Sequence, residues 1–210
     1  MKDISAKVAE MLLETGAVVI RPEDPFTWTS GWKSPIYCDN RLTLSFPEVR
    51  SYIKKALTAT IRNKYPDVEV IAGVATAGIP QAALVADFME LPLMYVRSKP
   101  KGHGMENMIE GTAKAGAKVV LIEDLISTGG SSVKAAVALK EAGYDVLGLG
   151  AIFSYGFDVS SENFAQAEVD FFSLSNYQDL VKNLVDMGKM EESVAASLGE
   201  WRKSPSTWKQ

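Results

Sequence analysis

The sequence predicts an α/β fold: a mainly parallel, twisted sheet flanked by helices, with a small N-terminal region that we call the hood. From Val68 onward, short runs rich in β-branched residues alternate with helical stretches, a pattern typical of crossover units around a parallel sheet. The strand runs are almost continuously apolar, as in sheets covered on both faces. The length of 210 residues suits a single domain over residues 1–210. We expect the hood mainly in residues 1–45, with a C-terminal contribution, and the core in about 46–175.

Two helices are predicted before the alternating region. Apolar residues recur at helical spacing before Gly16 and predict an amphipathic first helix: Ile4, Val8, Met11 and Leu12. A polar segment with proline and glycine follows at residues 21–41. Ser45–Glu48 then resembles a capping box with proline in the first turn, which predicts a helix that runs to about Tyr65.

The remaining elements follow the alternation in order. Strands are predicted at residues 68–74, 91–96, 118–124, 145–153 and 169–174. Helices are predicted at residues 79–90 and 131–143, and two more near 176–187 and 190–202.

Composition excludes several classes of function. The net charge of −4 argues against generic nucleic-acid binding, which needs clustered lysine and arginine. No apolar run approaches the roughly 20 residues that cross a bilayer, and the N-terminus fits neither a secretory signal nor a transit peptide. The single cysteine, Cys38, excludes an internal disulfide and a cysteine-only metal site. We therefore expect a soluble, cytoplasmic protein without a membrane or nucleic-acid partner.

The stretch from Val119 to Ser132 carries the strongest chemical signal. An apolar strand ends in Glu123 and Asp124, and a loop rich in hydroxyl groups and glycine follows. Ligands of open α/β sheets bind beyond the carboxyl ends of the strands, and backbone N–H groups at a helix start bind phosphate. Two acids beside a phosphate would repel it unless they bind something else, and ribose hydroxyl groups are the obvious partners. The stretch therefore predicts a ribose-phosphate site, with a simple strand-to-helix turn as the alternative.

The other common phosphate motifs, GxxxxGK[ST] and GxGxxG, are absent. The stretch resembles the signature with which the type I phosphoribosyltransferases bind phosphoribosyl pyrophosphate (PRPP). That signature consists of an apolar strand, two acids and a Thr/Ser-Gly loop. The resemblance implies that the PRPP-binding residues of the stretch are Glu123, Asp124, Leu125, Ile126, Ser127, Thr128, Gly129, Gly130 and Ser131. GVATAGIP, residues 73–80, resembles the pyrophosphate loop of the family, which implies Ala75, Thr76, Ala77 and Gly78 as its members. Its unusual peptide geometry is expected at the Ala75–Thr76 bond, where a non-proline cis peptide is otherwise costly.

FTWTSGWKSPIYCDNR, residues 26–41, resembles the hood of the orotate phosphoribosyltransferases, which encloses the base. The residues implied to bind orotate are Ser30, Lys33, Tyr37, Ser127 and Tyr155. The chain departs from some relatives at three positions that are basic there, which leaves recognition of the orotate carboxylate open and Lys33 as a substitute donor: Thr29, Ala77 and Tyr155.

Residues 97–111, RSKPKGHGMENMIEG, resemble the mobile catalytic loop of the same enzymes. The implied catalytic residues are Arg97, Lys101 and His103, which also bind PRPP, together with Asp124; Lys99 would assist. His103 is the only histidine and lies in a polar, glycine-flanked stretch. The alternative is a solvated run of charged residues.

The resemblance implies transfer of the 5-phosphoribosyl group from PRPP to N1 of orotate, giving orotidine 5′-monophosphate and pyrophosphate, a step of UMP synthesis. It also implies Mg²⁺ held mainly by the substrate, with no metal-ligating residues in the protein, and a homodimer with shared active sites. Two alternatives remain: a phosphoribosyltransferase for another base, and a non-catalytic PRPP-sensing regulator with the same fold.

Overall fold

Two small antiparallel ribbons and a helix form the N-terminal part of the protein, whose computed structural model describes residues 2–28, 31–99 and 108–208. Helix α1 spans Lys2–Glu14 and confirms the first predicted helix. Strand β1 (Val18–Ile20) pairs with β4 (Ile36–Cys38), and β2 (Phe26–Thr27) pairs with β3 (Lys33–Ser34). A short 3-10 helix, Asn40–Ser45, leads from the hood into the core.

A six-stranded sheet forms the centre of the core and confirms the predicted fold class. Its strands are β5 (Val70–Val74), β6 (Leu93–Val96), β7 (Ile109–Glu110), β8 (Lys118–Ile126), β9 (Asp145–Ser154) and β10 (Phe171–Asn176). They lie in the order β10-β9-β8-β5-β6-β7, and all neighbours are parallel except β6 and β7. The antiparallel edge strand β7 was not predicted, because two residues carry no readable periodicity.

Six further helices complete the fold: α2 (Pro47–Lys64), α3 (Gly78–Met89), α4 (Gly130–Glu141), α5 (Asp158–Gln166), α6 (Tyr177–Asp186) and α7 (Glu192–Lys203). Helix α5 was missed, since it is short and its sequence is mostly polar. The predicted capping box is wrong: the 3-10 helix continues through Ser45, Phe46 is the N-cap of α2, and no described side chain caps it. Pro47 does occupy the first turn. In the described part of the chain, none of the helices has the length and apolarity needed to cross a membrane.

Both faces of the sheet are buried. Alternate strand residues point to opposite sides of the sheet, so neighbouring residues of one strand enter different apolar clusters. In β8, Val120 and Ile122 belong to one apolar cluster, which α1, α2, α3 and the C-terminal helices cover. Val119 and Leu121 belong to a second cluster on the other face, with residues of α4 and Phe164 of α5. This explains why the strand runs are almost continuously apolar.

The strand order creates a switch point at the carboxyl ends of β5 and β8. The chain leaves β5 toward β6 on one side, whereas β8 and β9 extend the sheet on the other side. In open α/β sheets the crevice at such a point is where ligands bind. Gly78 allows the start of α3 to pack against β8, since a Cβ atom there would collide with the carbonyl oxygen of Ile122 and lie 3.2 Å from Glu123 Cα.

Trp201 of α7 joins the C-terminus to the hood. Its side chain is fully buried, and its Nε1 donates a hydrogen bond to the carbonyl oxygen of Lys33 at 3.0 Å. The rings of Trp28 and Tyr155 lie 5.8 Å and 6.0 Å from its ring. The hood therefore rests on an aromatic cluster to which the last helix contributes a fully buried tryptophan.

Trp201→Ala should lower the free energy of unfolding by about 3–5 kcal/mol, the usual cost of truncating a fully buried tryptophan. Urea denaturation followed by circular dichroism measures this change. Met187→Ala is the control, because Met187 is 49% exposed and its truncation should cost well under about 1 kcal/mol. Equal effects of the two substitutions would contradict the packing role of Trp201.

Candidate active site

A cavity of about 310 Å³ lies at the switch point between β5 and β8. Three separate segments of the chain form it: the end of the hood, the turn after β5, and the end of β8 with the start of α4. The lining residues are Cys38, Asp39, Arg41, Ala75, Thr76, Ala77, Glu123, Asp124, Leu125 and Ser131. The structure thus brings the predicted acids and the predicted pyrophosphate loop to one place.

The start of α4 presents backbone N–H groups beside this cavity. Gly129 is the N-cap with a φ of 78°, a conformation that favours glycine, and a Cβ there would lie 2.9 Å from Cε2 of Phe164. Asn163 of α5 donates a hydrogen bond to the carbonyl oxygen of Thr128 at 2.8 Å, which holds the loop from outside. No described side chain caps α4, so its first N–H groups can bind an anion.

Glu123 and Asp124 differ in their surroundings. Glu123 is only 5% exposed, and its carboxyl oxygens accept hydrogen bonds from Ser132 Oγ and the Asp124 backbone N–H, both at 3.2 Å. Burial raises the pKa of both carboxyl groups, and the neighbouring charge of Asp124 raises that of Glu123 further. Glu123 is the more deeply buried of the two, so its charged form is disfavoured more strongly than that of Asp124.

The turn after β5 confirms the predicted peptide geometry. The bond between Ala75 and Thr76 is cis. The backbone N–H of Ala75 donates to the carbonyl oxygen of Val96 in β6 at 2.9 Å, which ties the turn to the sheet. Because Ala75, Thr76 and Ala77 have small side chains, the backbone of the turn is accessible from the cavity.

The hood contributes residues that the sequence interpretation did not assign. Asn40 Nδ2 donates a hydrogen bond to the carbonyl oxygen of Asp124 at 2.6 Å, and Cys38 Sγ donates to Asn40 Oδ1 at 3.4 Å. Burial raises the pKa of Cys38, so its thiol keeps its proton. Asp39 and Arg41 form an ion pair at 2.7 Å on the cavity wall. The available signal was the polar run DNR, residues 39–41, at the end of the predicted hood segment.

The residues predicted to contact the base do not converge on this cavity. Tyr155 is buried in the aromatic cluster and hydrogen-bonds with the backbone of Cys38, and burial raises its pKa. Lys33 Nζ donates to Thr27 Oγ1 at 3.0 Å, and the ring of Tyr37 packs 5.5 Å from that of Phe26. None of these three is among the lining residues. Ser127 lies half-buried in the loop before α4, whereas Ser30, like Thr29, lies outside the described residues. The orotate contacts of these residues stay predictions.

Arg97 lies beside a second cavity of about 250 Å³, which shares Ala75 and Ser131 with the first. Its backbone N–H donates to Met108 O at 2.8 Å, and its side chain pairs with Glu110 at 3.2 Å. The two ends of the predicted catalytic loop therefore meet next to the phosphate loop. Lys101 and His103 themselves lie outside the described residues, while Lys99 is exposed.

A divalent cation suits the oxygen atoms of the first cavity. In residues 2–28, 31–99 and 108–208, no group of three or more histidine, cysteine or acidic side chains is arranged to hold a metal ion. Mg²⁺ prefers carboxylate oxygen and commonly keeps several waters while it binds substrate phosphates. Asp124, which lines the cavity, offers such an oxygen.

Comparison with known proteins agrees with this geometry. The family model of the phosphoribosyl transferase domain matches residues 43–188. The chain is 55% identical to the orotate phosphoribosyltransferase of Cytophaga hutchinsonii, over 97% of this chain and 98% of that protein. The chain belongs to the orotate phosphoribosyltransferase family. The family suggested by IEDLISTGGS and the hood segment is thereby confirmed.

Two solved structures extend this family assignment to the fold. The crystal structure of orotate phosphoribosyltransferase from Aeropyrum pernix is 29% identical, with a TM-score of 0.76, and the match covers 88% of this chain and 99% of that one. The UMP synthase of Leishmania donovani is 28% identical with a TM-score of 0.75, and the match covers 94% of this chain but 42% of that one. The chain thus spans less than half of that synthase.

Gly129→Ala should weaken binding of ribose 5-phosphate by at least about tenfold, because a side chain there opposes the left-handed backbone and meets Phe164. Isothermal titration calorimetry measures the affinity. Gly143→Ala is the matched control: its φ of 85° imposes the same backbone strain, but nothing lies within 4 Å of the added Cβ. If both variants retain the affinity of the unsubstituted protein, the phosphate does not bind at the start of α4.

Proposed function

We propose that this chain is an orotate phosphoribosyltransferase, which transfers the 5-phosphoribosyl group from PRPP to N1 of orotate and releases orotidine 5′-monophosphate and pyrophosphate. The observation that carries this proposal is the cavity at the switch point, where the acid pair, the cis-peptide turn and the end of the hood meet. Full-length similarity to the Cytophaga hutchinsonii orotate phosphoribosyltransferase supports the same reaction.

The 5′-phosphate of PRPP would bind at the start of α4. Backbone N–H groups and hydroxyl groups of Ser127–Ser131 supply hydrogen-bond donors there, and the helix dipole favours the negative charge. Asp124 lies on the cavity wall and precedes this loop in the sequence. It would accept hydrogen bonds from the ribose hydroxyl groups. The reacting carbon, C1, is then held between two fixed points.

Bond breaking at C1 develops positive charge on the ribose, as in glycoside hydrolysis. Asp124 would face that charge as a carboxylate. Glu123 accepts a hydrogen bond from the Asp124 backbone N–H at 3.2 Å and would fix the orientation of Asp124 through it. The roles of the two acids therefore differ: Asp124 contacts the ribose, and Glu123 acts as a positioning residue.

The leaving pyrophosphate would lie between the Ala75–Gly78 turn and the loop that begins at Arg97. The small side chains of the turn let backbone groups approach the phosphate oxygens, while Arg97, Lys101 and His103 would offset their charge. Lys99 would assist. Closure of the loop would exclude water, whose attack on PRPP would waste the donor.

Mg²⁺ is the proposed cofactor; the substrate would hold it in the main, and Asp124 on the cavity wall would offer a carboxylate oxygen. When bound, it would neutralise charge on the leaving group. The protein's own task at this point is to keep Asp124 oriented through Asn40 and Glu123.

A homodimer with shared active sites, in the cytoplasm and in the pathway to UMP, completes the proposal. The family resemblance supports the shared site, since the catalytic loop is expected to reach the neighbouring subunit. Arg97, where this loop begins, lines the second cavity together with Met108, where the described chain resumes.

Mixing the protein with PRPP, Mg²⁺ and orotate should cause loss of orotate absorbance. In the same assay, Asp124→Asn should lower kcat by about 100-fold or more, because the charge facing C1 is lost. Asp158→Asn, an exposed acid at the start of α5, is the control and should leave kcat unchanged. Turnover with uracil or a purine but not with orotate would show that the enzyme transfers the phosphoribosyl group to a different base. Tight PRPP binding without turnover of any base would favour a PRPP-sensing regulator.

Co-expression of Lys101→Ala and Asp124→Asn chains should restore activity to about a quarter of the unsubstituted value, because half of the dimers are mixed and each has one intact site. The measurement is steady-state orotate turnover by the purified mixture, with each variant assayed alone as the baseline. Activity that stays at the baseline, although mixed dimers are present by mass spectrometry, would contradict shared active sites.

A further inference from the structure

Arg41 is the only basic side chain among the described residues that line the switch-point cavity. Three acidic residues line the same cavity, Asp39, Glu123 and Asp124. The side chain of Arg41 is 64% exposed, and it lines the cavity together with Asp124. An anion that enters the cavity from the hood side therefore meets one cation.

The guanidinium group of Arg41 is held in a defined orientation. Its Nε and Nη2 donate to the two carboxylate oxygens of Asp39 at 2.7 Å and 2.8 Å, and its backbone N–H donates to Asp39 Oδ1 at 3.1 Å. A guanidinium group has a second edge, formed by Nη1 and Nη2, that can bind another carboxylate with two parallel hydrogen bonds. Nη1 makes no hydrogen bond to any described residue, so this edge is available.

The proposed substrates bring three anionic groups to the site, and two of them already have partners. The 5′-phosphate is assigned to the start of α4, and the pyrophosphate to the Ala75–Gly78 turn with the loop after Arg97. The carboxylate of orotate has no partner in that scheme. Lys33, the substitute suggested by the sequence, donates instead to Thr27 and does not line the cavity.

We propose that Arg41 binds the carboxylate of orotate through its Nη1–Nη2 edge and that Asp39 is the positioning residue that directs this edge into the cavity. The inference rests on the proposed function, because it assumes that the base lies between the hood and the turn after β5. Its consequence is specificity: a pyrimidine without the carboxylate leaves Arg41 unpaired and loses this interaction.

The test compares two nucleotides that differ only in the carboxylate, orotidine 5′-monophosphate and uridine 5′-monophosphate. Their affinities are measured by calorimetry for the unsubstituted protein and for Arg41→Gln. We expect Arg41→Gln to weaken binding of orotidine 5′-monophosphate by about 10-fold to 100-fold, the usual effect of losing hydrogen bonds between charged groups. Binding of uridine 5′-monophosphate and of PRPP should change by less than about threefold.

Two further variants sharpen the comparison. Arg62→Gln removes an exposed arginine near the end of α2 and should change neither affinity. Asp39→Asn should weaken orotidine 5′-monophosphate selectively but less than Arg41→Gln, whereas a purely structural role would weaken both nucleotides equally.

Three results would overturn the inference. Equal losses for both nucleotides, or a loss for PRPP as large as that for orotidine 5′-monophosphate, would assign Arg41 to the ribose phosphate or the pyrophosphate. No loss for any ligand would remove Arg41 from the site. If the unsubstituted protein binds neither nucleotide, the proposed function fails together with the inference. The other results contradict only the proposed role of Arg41.

Discussion

The candidate site depends on one close contact, the packing of the α3 N-terminus against β8 at Gly78. A Cβ atom at this position would collide with the backbone of Ile122, so only glycine allows the turn after β5 to lie beside the acids that end β8. The strand order brings these two ends together at the switch point. The cis peptide after Ala75 and the acids at the end of β8 lie beside this junction, and Asn40 joins the hood to it through Asp124.

Burial then determines what the acids can do. A carboxylate as buried as Glu123 is costly to ionise, and the hydroxyl group of Ser132 and the backbone N–H of Asp124 offset part of this cost. Asp124 is less buried and lines the cavity. The hood reaches the same residue through Asn40, whose amide holds the backbone of Asp124. Orientation of the acid that contacts the ribose thus depends on three segments that are far apart in the sequence.

Most of the fold could be predicted from the sequence, and so could two segments of the cavity wall, the acids that end β8 and the turn after β5. Both results have physical reasons. The parallel strands are buried on both faces and therefore produce long apolar runs, and the phosphate loop is contiguous from Glu123 to Ser131. The antiparallel edge strand and α5 are too short or too polar to be read, and the 3-10 helix displaced the predicted cap at Ser45. No role was assigned to Arg41 from the sequence, because its proposed role depends on neighbours in space, Asp39 and Asp124, and not on a pattern along the chain. The burial of Tyr155 was not readable either, because it results from tertiary packing against Trp28, Phe153, Phe157 and Trp201.

In the proposed reaction a single crevice, between the ends of β5 and β8, holds the ribose phosphate and the base together. A crystal structure of the protein with orotidine 5′-monophosphate would locate both groups. We expect the phosphate against the backbone N–H groups of Thr128–Ser131, the ribose hydroxyl groups within hydrogen-bond distance of Asp124, and the base between the hood and the Ala75–Ala77 turn. A nucleotide bound with its phosphate away from the start of α4, or with its ribose out of reach of Asp124, would contradict it.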